Sequence, residues 1–148
     1  MDAQLPLNPA LHLGDLVLVG RFGSRDGSAA QRSPVSLPPL IDAFCDQQGY
    51  ARVACLTVRN EIAAESDKRE CRQESGADIV DMEGFRLSKM AGLSKIPFAS
   101  LKVISDAADR SAYASAIGQA GRWSKILVRA TCSLLRQIKE AEDGAREE

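Results

Sequence analysis

The sequence predicts an α/β domain in three layers, with helices on both faces of a mostly parallel or mixed central sheet. Strand-like runs alternate with helical ones along the chain, which is the pattern of strands joined by crossover helices. The strand-like runs are short and almost continuously apolar, as expected of strands that are covered on both faces. With 148 residues and 45% hydrophobic content, the chain has the size of one domain, 1–148, with enough apolar material for a core.

The first strand is predicted over residues 14–20, an apolar run bounded by glycines. Residues 20–34 mix Gly, Ser, Asp and Arg without a helical or strand period. Such a segment is either a plain connector or a mobile segment over a site, and the connector is the default interpretation.

A helix is predicted over residues 36–48. Ser36 has the side chain of an N-cap, and Pro38 and Pro39 suit the first turn, where their missing N–H groups are not needed. Gly49 is placed to end the helix in a left-handed conformation.

The rest of the chain is predicted to contain, in order, strand 52–58, helix 66–75, strand 77–81, helix 83–94, strand 97–105 and helix 111–141. The three strands are β-rich runs, and Pro97 marks the start of the last one. Gly76 closes the polar helix 66–75. Helix 83–94 places Leu87, Met90, Ala91 and Ser94 on one face.

The C-terminal helix is the longest predicted element. Its apolar residues recur at spacings of three and four, which indicates an amphipathic helix whose stripe serves packing or a subunit contact. The stripe consists of Tyr113, Ile117, Ala120, Trp123, Leu127, Ala130, Leu134 and Ile138. We expect the charged tail, 140–148, to fray.

Composition argues against several classes of function. The 19 basic and 20 acidic residues nearly cancel, so no charge excess favours a nucleic acid or an anionic membrane surface as partner. Four widely spaced cysteines and the single His12 disfavour a metal site. The chain has neither an apolar run of membrane length nor the pattern of a signal peptide at its start, which predicts a cytoplasmic protein with reduced thiols.

Two acidic turns are the candidate functional residues. Asp81-Met82-Glu83 closes one predicted strand and Ser105-Asp106 closes the next. Because a single helix joins these strands, we expect them to lie near each other with their carboxyl ends at one edge of the sheet, so that Glu83 and Asp106 face one crevice. Taken singly, Ser105-Asp106 is better explained as a helix cap and Glu83 as a first-turn helix acid, so the site prediction depends on the two turns together.

Residues 76–109 resemble the C-terminal half of the nucleoside phosphorylase and nucleosidase superfamily. Within it, they are most similar to the methylthioadenosine/S-adenosylhomocysteine nucleosidases and to the phosphorylases associated with hopanoid synthesis. The pairs that match the family's pattern, at its spacing, are Met82-Glu83, Pro97-Phe98 and Ser105-Asp106. The resemblance implies a phosphorylase/nucleosidase-like fold that is truncated at its N-terminal side.

The resemblance also implies a chemistry and a set of roles. The reaction is cleavage of the N-glycosidic bond of a purine nucleoside, by phosphate (a glycosyltransferase) or by water (a hydrolase). Asp106 is the catalytic acid at the purine, Glu83 accepts hydrogen bonds from the ribose hydroxyls, and Met82 contacts the sugar. Ser105 belongs to the same binding pattern. No cofactor or metal is implied, and phosphate is a co-substrate only if the reaction is a phosphorolysis.

The base-contacting segment matches the family less well. Thr57 and Ile62 bound it, and both are assigned to substrate binding. Glu61 stands where the family usually has an aromatic residue, and Phe85-Arg86 replaces residues that are usually small. Recognition of the base is therefore left open by the sequence.

Three alternatives remain open at the level of function. The chain is the C-terminal portion of a purine nucleoside phosphorylase or nucleosidase, completed by another segment, by a partner chain or by a homodimer that supplies the groups of an N-terminal half. Alternatively, it is a truncated, non-catalytic module that binds nucleosides or other proteins. The third alternative is an unrelated α/β domain in which the motif occurs by chance.

Overall fold

A computed structural model describes the backbone of residues 5–25, 31–34, 37–60, 62, 64–105 and 110–147, with side chains outside 5–6, 31–34, 110–118 and 146–147. Its elements are β1 (Leu5–Pro6), β2 (Leu16–Ser24), β3 (Gln31–Pro34), α1 (Pro39–Gln48), β4 (Ala51–Thr57), α2 (Glu65–Ser75), β5 (Ile79–Asp81), α3 (Gly84–Leu93), β6 (Leu101–Val103) and α4 (Arg110–Glu147). From β3 onward, strands and helices alternate as the sequence predicts. The α/β class is confirmed.

The sheet is mixed. Its strand order is β1-β5-β4-β2-β3, and β6 also pairs with β2. The central strands β2, β4 and β5 are parallel, whereas β1, β3 and β6 are antiparallel to their neighbours. Of the two sheet types expected, mixed is therefore confirmed and mostly parallel is wrong.

Strand β2 holds two different partners on one side. Its first residues, Leu16–Leu18, pair with β6, and its last ones, Arg21–Ser24, pair with β3. On its other side it pairs with β4 along its length, with a register shift between Val19 and Arg21. The register shift separates the segment of β2 that pairs with β6 from the segment that pairs with β3, and a β-bulge at such a position would bend the strand and increase its twist.

The segment 20–34 was expected to be a connector, and most of it is sheet. Residues 20–24 extend β2, residues 31–34 form β3, and residues 26–30 lie outside the described residues. In the extension of β2, Phe22 and Ser24 are buried while Arg21 and Gly23 are partly exposed. The segment keeps the two-residue alternation of a strand, although its polar composition conceals it.

Helices cover both faces of the sheet. On one face, Phe85 of α3 packs in a cluster with Val17, Val19, Phe22, Val53, Cys55, Ile79 and Ile104. On the other face, Leu18 packs with Phe44 and Cys45 of α1 and with Leu134 of α4, and Leu56 and Val80 pack with Cys71 of α2. This arrangement is the predicted three-layer α/β/α architecture.

The helix ends follow local chemistry. Gly49 and Gly76 end α1 and α2 with φ of 70° and 63°, as predicted for left-handed caps. Helix α1 begins at Pro39 after Pro38, which makes no side-chain cap. The predicted cap, Ser36, lies outside the described residues.

The face of the predicted helix 83–94 that carries Leu87, Met90, Ala91 and Ser94 is mostly exposed. Leu87 and Met90 are 50% and 66% exposed, while Gly84, Phe85 and Ser88 are buried. The small Gly84 lets the first turn lie directly against Phe22 and Asp81. Contact at this turn orients the helix, so its apolar stripe faces outward.

Helix α4 packs through part of its predicted stripe. Trp123 and Ala130 are buried, and Trp123 lies against Gly14, whose φ of 93° suits glycine. The side chains of Tyr113 and Ile117 lie outside the described ones, and the helix continues to Glu147. None of the described helices is long and apolar enough to cross a membrane.

Burial of the thiols gives stability that depends on pH. All four cysteines are free, and burial, followed by the charge of Asp81, raises the pKa of Cys55 above its ordinary 9.0. Burial likewise raises the pKa of Cys45 and of Cys71. Because the folded pKa values are raised, their contribution is complete below the unfolded pKa, near 9, and is lost as the pH rises beyond it.

We therefore predict that the free energy of unfolding decreases above about pH 9, and that Cys55→Ala makes this decrease shallower by up to about 1.4 kcal/mol per pH unit. The measurement is urea denaturation at a series of pH values under reducing conditions. The slope of the unfolding free energy against pH is compared between variants, and not the absolute stability. The matched control is Cys132→Ala at an exposed position, which should retain the wild-type slope. An unchanged slope in Cys55→Ala would contradict the prediction.

Candidate functional site

Strands β2, β4 and β5 end side by side at one edge of the sheet. Ser24 pairs with Thr57, and Thr57 pairs with Asp81, so these three residues are the last rungs of two parallel ladders. The chain leaves β5 through Met82 and Glu83 and enters α3 at Gly84. In open α/β sheets, ligands bind beyond the carboxyl ends of parallel strands, which makes this edge the candidate site.

Asp81 is the centre of a buried polar cluster. Its carboxylate accepts a hydrogen bond from Thr57 Oγ1 at 2.6 Å and one from the backbone N–H of Gly84 at 3.1 Å. Lys102 Nζ lies 3.0 Å from the second oxygen, Oδ2, and the Asp81 side chain is only 1% exposed. Thus the carboxylate has lost its water and is stabilised by one cation and two hydrogen-bond donors.

The cluster also holds the first turn of α3. The first N–H groups of a helix have no partner within the helix. Here Asp81 accepts from Gly84 N, and Thr57 Oγ1 accepts from Phe85 N at 2.8 Å. Glu83, at the N-cap position, makes no side-chain capping bond. Because other side chains satisfy the helix start, the exposed Glu83 carboxylate is not used for capping.

The predicted site residues have different environments. Met82 and Glu83 are exposed beyond β5, and Ser105 is partly buried after β6. Thr57 is buried and both donates and accepts within the cluster, and Ile62 is partly buried against the α2 side of the core. Asp106, the predicted acid, lies outside the described residues, as does Glu61. Thr57 thus forms hydrogen bonds with Asp81 and Phe85, the residues on either side of the segment 82–84.

The expectation that the two acidic turns follow strands that lie near each other in the sheet order, with their carboxyl ends at one edge, is wrong. Two strands, β4 and β2, lie between β5 and β6, and β6 is antiparallel to β2 and hence to β5. Residues 94–100, between α3 and β6, have no regular secondary structure and bring the chain back in the opposite direction. The assumption of a parallel crossover therefore failed.

Strands β5 and β6 nevertheless approach each other. Three strand spacings correspond to about 14 Å in a flat sheet, which is further than a lysine side chain extends. Lys102 of β6 still contacts Asp81 of β5, so the sheet coils enough to bring the two strands together across the face covered by α3. Lys102 is not among the predicted site residues, although it is a charged residue inside an otherwise apolar strand.

Among the residues that the structure describes, no three His, Cys, Asp or Glu side chains are grouped so that they could hold a metal ion. The chemistry available at the edge is that of Glu83 as a hydrogen-bond acceptor, with Met82 as an apolar surface beside it.

Comparison with known proteins gives a family and a fold. A model of the phosphorylase superfamily matches residues 6–138, and no curated protein matches the sequence. A futalosine hydrolase mutant of Helicobacter pylori strain 26695 is similar in structure, with a TM-score of 0.81 and 17% identity over 92% of this chain and 66% of that one. The 5'-methylthioadenosine/S-adenosyl homocysteine nucleosidase of the same species has a TM-score of 0.81 and 18% identity, with the same coverage.

The S-adenosylhomocysteine nucleosidase of Streptococcus pyogenes is also similar, with a TM-score of 0.78 and 17% identity over 90% of this chain and 64% of that one. At such identities the likeness shows the fold. The chain spans 66% of the length of the two Helicobacter proteins.

Proposed function

This chain belongs to the phosphorylase superfamily, and we propose that it takes part in cleaving the N-glycosidic bond of a purine nucleoside. The observation that carries the proposal is the position of Glu83: it follows a buried strand, is exposed, and does not cap the helix that it precedes. The family match includes this turn and the Ser105-Asp106 turn. Of three solved structures with a similar fold, two bear the names of nucleosidases and one that of a futalosine hydrolase.

Glu83 is suited to the sugar. An ionised carboxylate only accepts hydrogen bonds, and its two oxygens match the two hydroxyl donors of a vicinal diol. The neighbouring Met82 is 48% exposed and offers a flexible apolar surface to the ribose ring. We assign Met82 and Glu83 to ribose binding.

Asp106 is the proposed acid. Cleavage of the bond develops positive charge on the ribose and negative charge on the departing purine, so a proton delivered to the base lowers the barrier. An ordinary Asp has a pKa of about 3.9. For this role at neutral pH, its surroundings must favour the protonated form by removing water.

The nucleophile and the remaining groups belong to the same proposal. Phosphate makes the reaction a phosphorolysis and water makes it a hydrolysis, and the dependence of base release on phosphate distinguishes the two. Because the chain spans 66% of the length of the first similar structures, we propose that a partner segment or a second copy of the chain supplies the groups that handle the nucleophile.

The test is the release of free adenine or hypoxanthine from a panel of purine nucleosides, with and without phosphate. We expect release by the purified protein, or by the protein together with the chain that completes it. Phosphate-dependent release identifies a phosphorylase, and phosphate-independent release identifies a nucleosidase. A folded sample that releases no base under any of these conditions would contradict the proposal.

A non-catalytic module is the second candidate, and one observation favours it. Leu87, Met90, Leu93 and Ile96 are between 50% and 82% exposed, and exposed apolar side chains of this kind are suited to contact with another molecule. Binding of a purine nucleoside without turnover, measured by calorimetry, would support this candidate. Turnover by the isolated chain would exclude it.

A further inference from the structure

The ion pair between Asp81 and Lys102 is unusual for its position in the fold. The side chains are 1% and 16% exposed, respectively, so both charges have lost most of their hydration. A buried ion pair is often no more stabilising than well-packed apolar residues. General stability therefore explains this pair poorly, and the elements that it connects suggest another reason.

The pair connects the two strands that lead to the proposed site residues. Asp81 ends β5, two positions before Glu83, and Lys102 lies within β6, three positions before Ser105. These strands are not neighbours in the sheet, so no backbone ladder sets the distance between them. Among the contacts described, this ion pair joins them directly.

We propose that Asp81 and Lys102 are positioning residues that set the separation between the ribose-binding turn and the turn that begins at Ser105. The proposal rests on the function proposed above. Lys102 acts through Asp81, whose other contacts, with Thr57 and with the N–H of Gly84, hold the start of α3. A shift of β6 is thereby transmitted to the turn that carries Glu83.

Enzyme kinetics of four variants test the positioning role. Lys102→Met keeps a long side chain but removes the charge, and we expect kcat/KM to decrease about 100-fold, as for a displacement of about 1 Å in a site. Lys102→Arg keeps the charge and should retain most of the activity. Lys125→Met, at an exposed position on α4, is the matched control and should behave as wild type.

The double variant Asp81→Asn/Lys102→Met separates positioning from stability. It removes both buried charges, so its thermal midpoint should recover relative to Lys102→Met. If the pair positions the two turns, kcat/KM stays low although stability recovers. Recovery of kcat/KM together with the thermal midpoint would overturn the proposal.

A second measurement does not depend on activity. Amide hydrogen exchange of Gly84 and Phe85 reports whether the start of α3 is held. We expect exchange about tenfold faster in Lys102→Met than in wild type, and near wild-type exchange in Lys102→Arg. Unchanged exchange in Lys102→Met would overturn the link between Lys102 and this turn. If the wild type releases no base, the proposed function fails while exchange still tests the link.

Discussion

Replacing Gly84 with alanine is expected to destabilise the protein by about 3 kcal/mol or more. An added Cβ would overlap the ring of Phe22 and the Oδ2 atom of Asp81. Phe22 is fully buried and Asp81 is 2% exposed, so neither side chain can move into solvent. Relief of the overlap would shift α3 away from the sheet, and the bond from Gly84 N to Asp81 would be lost.

The same helix provides the control. Gly92 is also in α3, but a Cβ there would meet nothing within 4 Å. Gly92→Ala should therefore be neutral or stabilising by up to about 1 kcal/mol, because alanine favours the helix. The measurement is urea denaturation followed by circular dichroism. Equal stability of Gly84→Ala and wild type would show that Gly84 does not lie in close contact with Phe22 and Asp81.

The elements that could be predicted from the sequence are those specified by nearby residues. Apolar runs identified β4 and β5, and Gly49 and Gly76 marked the ends of α1 and α2 because a left-handed residue needs no distant partner. The alternation of these elements was enough to predict the α/β class and the presence of helices on both faces of the sheet.

The elements that could not be predicted depend on distant partners. Strand β3 has no strand-like composition and exists because it pairs with the end of β2. The direction of β6 is determined by its pairing with Leu16–Leu18, which the connection through α3 does not reveal. The buried face of α3 is selected by Gly84, a residue with no hydrophobic signal.

The candidate site divides in the same way. Met82 and Glu83 could be proposed from the sequence because they form a contiguous motif at the end of a strand. Lys102 was missed because its partner, Asp81, is 21 positions earlier, and a lysine in a strand looks the same in sequence whether it is buried or exposed. Thr57 was assigned to the substrate, and its described bonds give it a role in supporting the turn.

Asp106→Asn is expected to lower kcat for purine release by about 100-fold to 10,000-fold, which is the usual contribution of a general acid. An amide cannot supply the proton that neutralises the departing base. The loss should therefore shrink for a riboside whose leaving group departs without protonation, such as 4-nitrophenolate. An equal loss for both kinds of substrate would show that Asp106 does not act as the acid.

Glu83→Gln should affect a different part of the substrate. Each hydrogen bond from a hydroxyl to a charged acceptor is worth about 1.5–3 kcal/mol, so we expect kcat/KM for a ribonucleoside to fall about 10-fold to 150-fold. For the matching 2′-deoxynucleoside, which lacks one of these bonds in the wild-type complex, the same substitution should lower kcat/KM by a smaller factor. Glu70→Gln, at an exposed position on α2, is the control and should leave kcat/KM unchanged for both substrates.

If Glu83→Gln lowers kcat/KM by the same factor with and without the 2′-hydroxyl, Glu83 does not contact that hydroxyl. If Glu83→Gln also leaves kcat/KM for the ribonucleoside unchanged, the assignment of Glu83 to ribose binding is wrong. Another explanation is then needed for a carboxylate at the N-cap position of α3 that makes no capping bond.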